Sequence, residues 1–132
     1  MIKTKSILRP KDESDGIRIS VMSRHTLNDG ITPHPQIYHY SYDEWLKILA
    51  PPEKLLGDYY IRKIKNLEDV KKYYITYLRN PEIKTEVLKL AKRGMDEIIT
   101  LLCVENLPID CHRKILAEEC KRYFPSLILK IN

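Results

Sequence analysis

The stretch from 98 to 124 constrains the fold more than any other. Ile98-Ile-Thr-Leu-Leu-Cys-Val104 is nearly all apolar, which predicts a strand covered on both faces, as in a parallel sheet. Asp110 is a good N-cap residue, and Ile115, Leu116, Cys120, Tyr123 and Phe124 then repeat at helical spacing, predicting a helix over 111–123. Its first turn holds Cys111, His112 and Arg113. Ligands of open α/β sheets bind beyond the carboxyl ends of the strands, where helix N-termini offer free N–H groups. Three reactive side chains stand where that rule puts a site.

The remaining elements follow in order. Residues 2–8 and 17–22 alternate as strands, the second after the Asp15-Gly16 turn. Residues 23–40 show no periodicity and carry three of the four histidines. Ser41-Tyr-Asp-Glu44 reads as a capping box opening a helix through Trp45, Leu46 and Leu49, stopped by Pro51-Pro52. A second short helix is predicted around Leu55–Ile64. A third carries Leu67, Val70, Tyr74, Tyr77 and Leu78, and a fourth runs from Asn80-Pro81 to near Gly94. Leu127–Ile131 closes the chain as a strand. The reading is one α/β domain over residues 1–132. It has a small, mostly parallel sheet of about four strands with helices packed on it, and a helical insertion between the second and third strands. Pairing 17–22 with 98–104 in the same direction would bring Ser23, Arg24 and His25 to the edge that holds Cys103, Glu105 and the Cys111–Arg113 turn.

Composition narrows the class. At 132 residues, 43% hydrophobic and 31% charged, the chain is long enough to bury a core without staples. No apolar run approaches the ~20 residues of a membrane span and no signal-peptide core is visible, so a cytoplasmic location with no membrane partner is expected. Three cysteines agree with a reducing compartment. Cys111 and Cys120 would fall on opposite helix faces, roughly 13 Å apart, too far to bridge. The net charge of +5 is spread: residues 1–40 hold six bases and four acids, 41–97 twelve and ten, 98–132 five and four. Nucleic acid therefore stays a partner without the basic block that usually marks one. A single Gln beside abundant Lys, Glu and Ile is a composition met in thermophiles.

The segment Asp15–Gly30, with Arg18, Arg24 and His25, and the pair Leu101-Leu-Cys103-Val-Glu105 and Cys111-His112-Arg113 resemble the domain of unknown function 488 family, whose relatives include the YeaO-like proteins. The likeness covers most of the chain, including Tyr42-Asp-Glu-Trp45 and Leu49-Ala-Pro51. It implies a small α/β domain and assigns no reaction. Met22–Asn28 departs from the Asp-Arg-Leu-Trp-Pro-Arg-Gly stretch that the YeaO-like branch carries after its second strand.

Three functions fit these residues. The first is an enzyme-like site for an anionic ligand of phosphate or nucleotide type. There Arg113, Arg24 and Arg18 hold the anion, Cys111 is the nucleophile, and His112, His25 or Glu105 is the acid–base partner. A helix dipole and neighbouring cations favour the Cys111 thiolate, whereas Asp110 opposes it. The arginines serve equally well as ion-pair partners of Asp15 and Glu105. A cysteine-phosphatase loop is disfavoured, because position 109 is Ile, position 117 is Ala and 104–110 lacks glycine, although Arg113 could bind an anion from the helix itself. The second function is a non-catalytic nucleic-acid or protein binding module with a structural Cys-His-Arg turn. The third is a thiol-redox or metal site, with zinc as the candidate ion and Cys103, Cys111 and His112 as ligands, completed by Glu105, His25, His34 or His39. Cys120 and the helical tyrosines are assigned to the core.

Overall fold

The computed structural model describes residues 1–27, 29–55, 67–104 and 112–131. Among them five strands form one sheet: β1 (Ile2–Ser6), β2 (Ile17–Ser20), β3 (Glu44–Trp45), β4 (Ile99–Cys103) and β5 (Leu129–Lys130). Their order is β3-β2-β4-β1-β5, and every pairing is parallel. Three helices follow the predicted periodicities: α1 (Leu67–Leu78), α2 (Pro81–Asp96) and α3 (His112–Tyr123). β4 lies at the centre of the sheet and is buried along its whole length, as its apolar run requires. The expected parallel pairing of β2 with β4 is present, with Ile17 beside Ile99 and Ser20 beside Leu102. β4, α3 and β5 share the sheet as a parallel crossover, with β1 lying between the two strands.

Strand alternation divides the sheet into two unlike faces. Ile2, Ile19, Ile99 and Leu101 join Val70, Tyr74, Leu78, Val87, Leu90, Leu116 and Cys120 from the helices in one core. The opposite face carries Lys3, Lys5, Arg18, Ser20, Thr100 and Leu102, and its small apolar cluster of Ile7, Met22, Leu102 and Cys103 draws on no helix among the described residues. Arg18, 1% exposed, is held there by Asp15 at 2.7 Å and by the carbonyls of Ser41 and Arg9.

Two local expectations are corrected. The segment after Ser41 is not a helix: Glu44–Trp45 is an edge strand and Lys47–Leu49 a single 3-10 turn. Asp43 explains why. Its amide donates to the Arg18 carbonyl and its carboxylate accepts the Arg18 amide, both at 2.8 Å, so pairing with β2 replaces the cap. The helix expected to stop near Gly94 continues to Asp96. Gly94 is needed for close approach, since a Cβ there would stand 2.6 Å from Ile2 Cγ1. The helix predicted around 55–64 lies almost wholly outside the described residues.

Candidate functional site

The carboxyl end of β2 carries the site's geometry. The chain leaves Ser20 and turns so that His25 folds back, with Nε2 2.6 Å from Ser20 Oγ. Ser20 is fully buried, and its oxygen also accepts the Met22 amide at 3.4 Å. The imidazole packs against Trp45, with ring centroids 4.1 Å apart, and against Tyr42 at 4.7 Å. Trp45 is fixed in turn by its Nε1–H, which donates to the Met22 carbonyl at 2.7 Å. Burial pushes the His25 pKa down to about 4, because an imidazolium loses hydration between these rings. His25 is therefore neutral at pH 7, with Nε2 tied to a hydroxyl. Among the described residues no group bonds its Nδ1. A neutral, oriented imidazole with one nitrogen available can accept or return a proton.

A hairpin-like loop follows. His34 N donates to the His25 carbonyl at 3.0 Å and Leu27 N to the Thr32 carbonyl at 2.8 Å. Arg24 packs its guanidinium over Gly30, whose φ of +74° suits glycine, and its charge helps hold the nearby Asp29 carboxyl below the ordinary range, after the bonds from Thr32 and Ile31.

α3 meets β2 and β4 from the helical side. His112 Nε2 lies 2.6 Å from the Val21 carbonyl; a carbonyl only accepts, so Nε2 carries the hydrogen. The same ring meets Tyr74 edge-on at 5.8 Å. Arg113, the second residue of α3, is fully buried, and its Nη1 donates to the Cys103 carbonyl at 3.3 Å and contacts Cys103 Sγ at 2.8 Å. Cys103 is disulfide-bonded, whereas Cys120 is a free, buried thiol.

The residues singled out from sequence thus divide. His25 stands at the end of β2, and the β2 end is tied to α3 through Val21, whose amide donates to Leu102 and whose carbonyl accepts from His112. Arg113 joins α3 to the end of β4. Arg18 is engaged by Asp15 on the polar face rather than at the carboxyl edge. Cys111, Glu105 and Asp110 lie outside the described residues. Among the described residues no three or more His, Cys, Asp or Glu side chains are grouped to hold a metal; His34 Nδ1 accepts the Gln36 amide and His39 stacks edge-on with Tyr40. Ser20, Tyr42 and Trp45, none of them a site residue by sequence pattern, complete the setting of His25. The polar alternation at 18 and 20 was the only signal for the serine, and it gave no hint of a partner.

A family model described as the active DUF488-N3 subclade matches residues 2–123. The chain belongs to the DUF488 family. No curated protein and no solved structure is significantly similar to it. In this DUF488 chain no described helix is long and apolar enough to cross a membrane.

Proposed function

We propose that this DUF488 protein is an enzyme with its site at the carboxyl edge of β2 and β4, where His25 handles a proton for an anionic ligand of phosphate or nucleotide type. One observation carries the reading: the 2.6 Å bond that fixes a neutral His25 to buried Ser20, between Tyr42 and Trp45. Fixing a base by a hydrogen bond and two ring contacts lowers the cost of placing it in the transition state. Ser20 has no exposed surface, so it positions His25 and is not itself the nucleophile. Arg24 beside His25, the buried Arg113 charge at the start of α3 and the net charge of +5 favour an anion. Cys111, as a reduced thiol, is the proposed nucleophile, with His112 and Glu105 as further proton carriers. The subclade's description as active agrees with catalysis. Incubation with a panel of nucleotides and phosphomonoesters, followed by phosphorus NMR and mass spectrometry, tests it. Turnover that survives intact in His25→Gln contradicts the assignment.

A second reading is favoured by Cys103. Its sulfur is disulfide-bonded and lies 2.8 Å from Arg113 Nη1, and a guanidinium so placed stabilises a thiolate after reduction. In thiol–disulfide exchange a small dithiol would reduce this bond to two thiols and leave as its own disulfide. Reduction that Arg113→Met does not affect removes this reading.

A further inference from the structure

The polar face of the sheet carries an imbalance of charge that its own residues do not resolve. One register row runs Arg18, Thr100, Lys3, Lys130 across β2, β4, β1 and β5. Arg18 and Lys5 share Asp15, at 2.7 and 3.0 Å. Thr100 Oγ1 donates to the Asp15 carbonyl at 2.6 Å. Lys3, only 7% exposed, reaches the carbonyl of Ser14 at 2.9 Å and its hydroxyl at 3.4 Å, both neutral acceptors. An ammonium has three donors, and among the described residues the third has no acceptor. Lys130 stands directly beside Lys3 in the register and has no ion-pair partner among the described residues.

Like charges side by side on neighbouring strands repel, and a cation withdrawn from water without a counter-charge is costly. Yet both lysines line a hollow of about 180 Å³ together with Lys5, Thr4, Ser14 and Thr100. Two carboxylates also border it, and neither serves Lys3: Asp15 is held by Lys5 and Arg18, and Asp12 accepts the amide and hydroxyl of Ser14. A small tetrahedral oxyanion between the two ammonium groups would satisfy the third Lys3 donor and cancel the repulsion.

We propose that this hollow is a binding site for a phosphate-type oxyanion, held by Lys3 and Lys130 and separate from the His25 site. It lies over the first half of the strands, whereas His25 lies beyond the carboxyl end of β2. The test titrates inorganic phosphate into the full chain at constant ionic strength and follows backbone amide shifts by NMR. Saturable shifts are expected at Lys3, Ser14, Thr100 and Lys130. Lys130→Gln, a change at an exposed side chain that leaves folding intact, weakens binding about tenfold, the loss of roughly one charge-assisted bond. Lys3→Met, if it folds, does the same or more. Sulfate and phenyl phosphate distinguish the source: comparable affinity for all three marks a site for free oxyanions, and tighter phenyl phosphate marks the end group of a larger ligand. His25→Gln leaves the affinity read at Lys3, Thr100 and Lys130 unchanged, so failure here and failure of the His25 reading are told apart. Absence of saturation, shifts confined to the carboxyl edge, or undiminished affinity in Lys130→Gln overturns the proposal.

Discussion

Ser20 Oγ and His25 Nε2 lie 2.6 Å apart at the end of β2, with no exposed surface on the serine. Ser20→Ala removes this bond and the acceptor for the Met22 amide. The expected cost is about 1–3 kcal/mol in denaturant unfolding, the usual penalty for a buried polar group left without a partner. Under the proposed function turnover falls further than stability does, since the imidazole loses its orientation. Full activity in a folded Ser20→Ala protein would separate the bond from function.

His25 also couples stability to pH. Its folded pKa of about 4 lies below the ordinary 6.5, so between these values the unfolded chain binds the extra proton. Stability contributed by the neutral ring is complete above about pH 6.5 and declines as pH falls toward 4. Urea midpoints at pH 7 and pH 5 are expected to differ in the wild type and to converge in His25→Gln.

Asp15 gives a second, lower acid transition. Burial works against its charged form, but the Asp12 amide and the cations of Lys5 and Arg18 outweigh it, and the carboxyl sits below its ordinary 3.8. A depressed acid stabilises the fold above the unfolded value, and the gain is lost as pH falls through the folded one. Asp15→Asn leaves Arg18 buried without its counter-charge. That change is expected to cost about 3–5 kcal/mol, or to prevent folding, as measured by thermal and denaturant unfolding at neutral pH.

Gly94→Ala tests the packing of α2 on β1. The added carbon would meet Ile2 Cγ1 at 2.6 Å, Ile2 Cδ1 at 2.9 Å and Leu127 Cδ1 at 3.2 Å. Overpacking of this kind costs about 1–3 kcal/mol and outweighs the gain in helix propensity. A stabilised variant would mean that the β1–α2 contact is looser than described.

Cys120 is predicted to be inert in the native state. Burial pushes its thiol up to about 12, helped by the Glu119 charge. Iodoacetamide at pH 8 should label it only on unfolding, as mass spectrometry of the Cys120 peptide will show.

Elements whose register is set locally were legible in the sequence. The apolar run of β4, the Asn80-Pro81 start of α2 and the stripe containing Tyr74 each encode burial in spacing, and Tyr74 and Cys120 are core residues as expected. β3 was not legible, because Ser41–Glu44 has the local chemistry of a cap while Asp43 is claimed by Arg18, 25 residues away. Arg18 shows the same limit. A guanidinium suits an anion clamp and an ion pair equally, and only the fold brings Asp15 over it. Ser20 and His25 are five residues apart, yet nothing in strand alternation says that the chain beyond β2 turns back onto its own serine.

Whether His25 is a neutral, fixed acid–base group at this edge is read from its ring nitrogen shifts against pH by 15N NMR. A single titration near pH 4 is expected, with the midpoint moving up toward 6.5 in Trp45→Ala as water reaches the ring. A wild-type midpoint near 6.5, unmoved by Trp45→Ala, would contradict it.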